Sequence, residues 1–110
     1  MPRSIPSMEY YNSAHSITSN TSVSNSAGVP VPATPLSDRR LVRVYNDDDT
    51  ISARLAINDP SIATSGSHKG IKLGPGEQRT YPIGPLVVLY AIADSGTINI
   101  ITEELGEGEA

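Results

Sequence analysis

The 110-residue sequence contains no cysteine, no tryptophan and no phenylalanine, and five tyrosines are its only large aromatic side chains. Without cysteine there are no disulfide staples, no thiolate metal ligands and no thiol nucleophile, and the chain is suited to folding in a reducing compartment. Basic charge is also scarce: Lys+Arg number 8 against Asp+Glu 12, a formal net charge of −4. No basic surface of the size that phosphate neutralisation needs can be assembled from that balance, so nucleic acid is not an expected partner. No stretch approaches the roughly 20 apolar residues of a spanning helix, so no membrane partner is expected either. The opening "MPRSIPSMEYYNSAHS" lacks a continuous apolar run and reads as neither a secretory signal nor a membrane anchor.

What is present is turn chemistry. Nine glycines and nine prolines in a chain that is 37% hydrophobic argue against a helical bundle and for short strands punctuated by turns. The expected fold class is all-β, a small antiparallel β-sandwich or barrel, and the length allows one core.

The composition divides the chain. Residues 1–37 carry only Arg3 and Glu9 as charged groups and are rich in Ser, Thr, Asn and Pro. Such a segment cannot bury enough apolar surface to offset its own ordering entropy, and the spacing of Pro30, Pro32 and Pro35 favours extended backbone, so an extended N-terminal arm is expected. Residues 38–110 then form the β-domain, ending in an acidic tail, "EELGEGEA".

Within that domain "RLVRVYN" predicts a first strand, with Val42 and Val44 on one face and Leu41, Arg43 and Tyr45 on the other. "NDDDT" predicts a turn. Ile51, Ala53, Leu55 and Ile57 alternate with Ser52, Arg54, Ala56 and Asn58, the period of a strand with one wet face. "NDPSIATSGSHKG" reads as a polar loop and "IKL" as a short strand. Pro75 followed by Gly76 suits a type II turn. A strand over residues 78–83 follows, placed at a sheet edge or a bulge because Pro82 has no backbone donor. "LVVLYAIA" reads as a central, doubly covered strand, and Asp94, Ser95 and Gly96 as a hairpin turn into "TINIITEE", with Ile98 and Ile100 sharing a face. A β-domain of this size is marginal alone, which points to a homo-oligomer, and Leu41, Tyr45, Val88, Tyr90 and Ile92 supply more apolar groups than a one-sided sheet hides, so a sandwich or a subunit interface must cover them.

Candidate chemistry is sparse. Asp59, Ser65 and His68 supply triad residue types, but on a polar loop without a strained nucleophile turn or oxyanion donors. Asp47, Asp48 and Asp49 are clustered carboxylates that lack the glycine pivot and distal glutamate of a calcium loop. "LGPGEQ" lacks the Lys-Ser/Thr of a phosphate-binding loop. No catalytic residue, metal site or cofactor is therefore expected. Five residues are candidates for partner binding. Arg39, Arg40 and Arg43 form a basic cluster opposite Glu103, Glu104, Glu107 and Glu109, two patches that can meet on adjacent subunits, while Tyr10 and Tyr11 are the bulky anchors of the arm.

"RLVRVYNDDDT" followed by "GIKLGPGEQRTYPIGPLVVLYAIADSGTINIITEE" resembles small virion structural proteins of tailed bacteriophages, in which a strand ending in Tyr-Asn is followed by a Leu-x-Pro-Gly-Glu turn, "LYAIA" and "SGT". The matching residues are Tyr45, Asn46, Leu73, Pro75, Gly76, Glu77, the "LYAIA" of residues 89–93 and the "SGT" of residues 95–97. The resemblance implies a non-enzymatic protein of the virion, assembled in the host cytoplasm and binding the major capsid protein or other virion proteins, as a trimer or dimer. A capsid decoration (cement) protein is the foremost expectation, with the arm carrying attachment. A neck, tail or head-fibre component is the alternative within that class. Outside it, a host-glycan-binding module would rely on Tyr81 and Tyr90.

Overall fold

The computed structural model describes residues 15–106. Eight strands form: β1 (His15–Ser24), β2 (Val29–Pro30), β3 (Arg39–Asn46), β4 (Ala53–Ile57), β5 (Ile71–Leu73), β6 (Gln78–Tyr81), β7 (Leu89–Ala93) and β8 (Thr97–Gly106). They build two antiparallel four-stranded sheets, ordered β1-β8-β3-β6 and β2-β7-β4-β5. The protein is thus an all-β sandwich, and the two orders are those of a jelly roll, in which successive strands alternate between facing sheets except at the paired β4 and β5.

Period-two patterning produces this arrangement directly. On β8, Ile98, Ile100, Thr102 and Glu104 point inward and are buried, while Asn99, Ile101, Glu103 and Leu105 point outward. On β3, Val42 and Val44 face the core, as their alternation predicts. From the other sheet, Ala53, Leu55, Leu73, Leu89, Ala91 and Ala93 complete an aliphatic interior without tryptophan or phenylalanine.

The expected arm does not survive as drawn. Residues 15–24 are a full strand paired along its whole length with β8, from His15 opposite Gly106 to Ser24 opposite Thr97. Val23 and Val31 are 0% and 1% exposed members of the core. The segment is poor in apolar residues, but it need not build a core alone: Val23 on β1 and Val31 just after β2 suffice when β8 and β7 supply the ladder and the rest of the interior. Of the expected arm, residues 1–14 lie outside the described residues, as do residues 107–110 of the acidic tail.

The turn at Asp94, Ser95 and Gly96 is not a hairpin. β7 pairs with β2 and β4, whereas β8 pairs with β1 and β3, so the turn carries the chain from one sheet to the other. Two apolar strands around a tight turn satisfy either geometry locally, and only the need to bury both faces selects the crossing. Strand β7 also begins later than expected: Leu86 is 92% exposed and lies in the preceding loop.

Other local readings match. Gly76 has φ 73° and the Glu77 amide donates to the Gly74 carbonyl at 3.1 Å, a type II turn. Strand β6 is a sheet edge. Asn46, Leu73, Gly74, Gly76 and Glu77 converge on this turn. Asn46, fully buried, donates from its side chain to the carbonyls of Ile51 and Leu73 at 2.9 and 3.1 Å. Its backbone exchanges hydrogen bonds with Gly76 and Glu77 at 3.0 Å each. The Glu77 carboxylate in turn accepts from the Gly74 amide at 2.5 Å. Asn46 and the turn of residues 73–77 are therefore a single rivet joining β3, β5 and β6.

The polar loop of residues 58–70 folds over the outside of the β2-β7-β4-β5 sheet, pinned by Ile62, which is 4% exposed. Ile62 is seated against Gly28 and Gly70, where any Cβ would collide with it.

Candidate functional site

The candidate site is the outer face of the β1-β8-β3-β6 sheet, and register defines its rows. Thr18, Glu103, Arg43 and Thr80 lie side by side across the four strands, and Asn20, Ile101, Tyr45 and Gln78 form the next row. One row further along, Ser16 lies beside Leu105, which pairs with Leu41. Half-buried Leu41, Leu105, Ile101 and Tyr45 thus make an apolar band along the two central strands. Hydroxyl and amide groups of β1 and β6 flank it. A shallow open depression of about 440 Å³ lies on this face, lined by Thr18, Arg43, Tyr45, Gln78, Ile101 and Glu103.

Arg43 and Glu103 span the band as a cross-strand ion pair of 2.9 Å, with side chains 48% and 44% exposed. Such a pair contributes about 0.2–1 kcal/mol and is screened by salt. The face thus sets a solvent-exposed ion pair beside half-buried aliphatic groups and a tyrosine. This face carries no convergent nucleophile and base.

The basic cluster expected from sequence is split by the fold. Arg39 is 2% exposed and cannot touch a partner. The register of β3 on β8 shifts between Arg39, opposite Gly106, and Leu41, opposite Leu105. This β-bulge adds one residue and turns Arg39 to the inner face, away from Leu41 and Arg43, whose parity it otherwise shares. Inside, Arg39 Nη1 donates to Glu104 Oε2 at 2.9 Å, Nε to the Ile83 carbonyl at 3.2 Å, and Nη2 to the carbonyls of Gly84 and Val87 at 2.8 and 2.5 Å. Glu104 Oε2 also accepts the Leu36 amide at 2.9 Å. The pair therefore ties β3 and β8 to two loops. Arg40, at the bulge, is exposed. Tyr10 and Tyr11 lie outside the described residues.

Of the acidic residues, Glu104 meets Arg39 and Glu103 meets Arg43 within the chain, and Glu107 and Glu109 lie outside the described residues. Arg43 alone of the five expected contact residues is seen on the site. Tyr45, Ile101 and Gln78 join Arg43 on the site because the pairing of β3 with β8 and β6 makes them neighbours. The signal available was parity: Arg43 and Tyr45 share one face of their strand, as do Ile101 and Glu103 of theirs.

The remaining candidates take local roles. His68 Nδ1 lies 3.0 Å from Asp59 Oδ2, and Asp59 also accepts the Ser61 amide at 3.0 Å. The histidine contact chiefly, with the Ser61 amide, holds the Asp59 carboxyl below its usual range. Asp48 is drawn to the backbone, accepting from the Thr50 and Ile51 amides at 2.9 and 2.7 Å, and those bonds lower its pKa. Among the described residues no group of three His, Asp or Glu side chains is placed to hold a metal ion. No helix among them is long and apolar enough to cross a membrane. Tyr81 packs against the core, and Tyr90 sits on the opposite sheet beside Pro30, so the two tyrosines do not share a surface. Compared with known proteins, the chain matches no family model and no curated sequence.

Proposed function

We propose that this chain is a structural protein of a tailed-phage virion, a decoration protein that binds the head shell through the outer face of its β1-β8-β3-β6 sheet. The observation that carries the reading is the band of Leu41, Tyr45, Ile101 and Leu105, bridged by Arg43 and Glu103, on a sheet otherwise faced with small hydroxyl and amide groups. A band of this kind adds buried area when laid across a junction between shell subunits. Two further facts support it: the resemblance running from β3 to β8, and a jelly-roll strand order, which recurs in viral capsid and lectin domains. The second of these is an analogy of fold.

The test is to add purified protein to tailed-phage heads that lack it and count bound copies by cryo-electron microscopy. Many copies at symmetric shell positions, lost on Tyr45→Ala with Ile101→Ser, support the reading. Density confined to the tail vertex moves it to a neck, tail or fibre component, and absence of binding overturns it.

A second reading is favoured by the depression itself, where Arg43, Glu103, Gln78 and Thr18 surround Tyr45 in a way that suits a sugar ring. Glycan binding that disappears with Tyr45→Ala supports that reading; binding that persists removes this site from it.

A further inference from the structure

The sandwich has four edges, and they are not alike. β2 is two residues long and contains Pro30, which has no amide hydrogen. β5 is three residues long and centred on Lys72. β6 is four residues long, directs Arg79 inward opposite Val44, and is followed by Pro82. Brevity, proline, lysine and inward charge are the devices by which edge strands resist pairing with other chains. β1 has none of them. It is ten residues long, "HSITSNTSVS", without proline, lysine or bulge, and its register with β8 runs unbroken. No other strand of the described residues lies along its outer side, so the backbone groups of every second residue face outward there.

We infer that β1 is a self-pairing edge, at which a second copy of this chain adds antiparallel to make a continuous eight-stranded sheet across a two-fold axis. The occupant follows from charge. In a two-fold contact each residue meets residues of its own strand, so a charged strand repels itself. β1 contains no Asp, Glu, Lys or Arg, and its one titratable residue, His15, is already 3.2 Å from Asp38. Its Ser, Thr and Asn side chains can pair with one another across strands.

The register follows from the apolar residues. A two-fold axis perpendicular to the sheet keeps inner faces on the same side, so odd residues meet odd ones. With the axis at Asn20, Ile17 stands opposite Val23 of the second copy. Ile17 is 46% exposed although it sits on the inner face, opposite buried Glu104 of β8. The second copy covers it. This contact uses the edge of the sheet and leaves the outer face free, so it stands whether or not that face binds a head shell.

The experiment uses the full chain in sedimentation analysis up to about 100 µM. A dimer is expected, weakened at least about tenfold by Asn20→Lys, since like charges brought together across an interface cost several kcal/mol, and unchanged by Thr80→Lys on the β6 edge. Because the chain has no cysteine, Asn20→Cys reports the axis cleanly: paired Cα atoms about 4.5–5.5 Å apart lie within disulfide reach, so oxidation crosslinks the dimer. Circular dichroism confirms that each variant is folded. A monomeric full chain overturns the inference, and dimerisation of a chain lacking residues 1–14 in that case assigns the edge to the protein's own N-terminal residues. An oligomer indifferent to Asn20→Lys and not crosslinked through Asn20→Cys also overturns it.

Discussion

Replacing Glu104 by glutamine removes the single countercharge of a guanidinium whose side chain is 1% exposed. Arginine does not lose its proton at any ordinary pH, so in the variant Arg39 stays charged and buried, held only by the carbonyls of Ile83, Gly84 and Val87. Breaking one side of a buried ion pair costs about 3–5 kcal/mol. The glutamine oxygen still accepts from the Leu36 amide and Arg39, which places the expected loss near the lower figure. Against a total stability of roughly 5–15 kcal/mol for a small domain, that is a large fraction. The assay is urea unfolding, read as a fall in midpoint at unchanged slope. The double variant Arg39→Met with Glu104→Leu should cost much less than the sum of the single changes, because no charge remains buried. It also frees the three carbonyls, so cleavage by protease within residues 82–88 should rise even where global stability recovers. A loss below about 0.5 kcal/mol for Glu104→Gln, the scale of an ordinary surface change, refutes the argument that this pair fastens the loops to β3 and β8.

Three further outcomes are expected. Removing residues 1–14 leaves cooperative unfolding intact, whereas removing residues 1–37 abolishes it, because Val23 and Val31 alone contribute about 1.5–3 kcal/mol each as fully buried side chains; circular dichroism of the two truncations decides. Thr102→Val stabilises by about 1 kcal/mol, since the Thr102 hydroxyl is buried without a protein partner and valine keeps the shape; a loss of stability in urea contradicts this. Asp48 and Asp59 both have folded-state pKa values below the unfolded one, so their contribution is present above pH about 4 and is lost as pH falls through the folded values. Unfolding midpoints between pH 6 and 2 should therefore fall less steeply in Asp48→Asn and Asp59→Asn than in the parent, and parallel curves reject the assignment.

The sequence by itself determined the all-β class, the inner faces of β3, β4 and β8, the type II turn at Gly76 and the edge position of β6. Each of these depends on side-chain alternation or on the backbone limits of glycine and proline, which act over a few residues. Tertiary structure alone decided which strands are neighbours. Residues 15–24 look too polar to fold because their contribution to the core is mainly Val23, and their remaining support is a backbone ladder that composition does not register. The crossing at Asp94, Ser95 and Gly96 has the local chemistry of a hairpin, and burial of both sheets' inner faces sends it across instead. One bulged residue reverses the parity of Arg39, turning an expected surface cation into the buried partner of Glu104. Leu41 and Tyr45 are legible as apolar groups on one strand face, but their union with Ile101 and Leu105 in one band is not: alternation assigns each residue a face, and hydrogen-bonded register between strands distant in sequence assigns it neighbours.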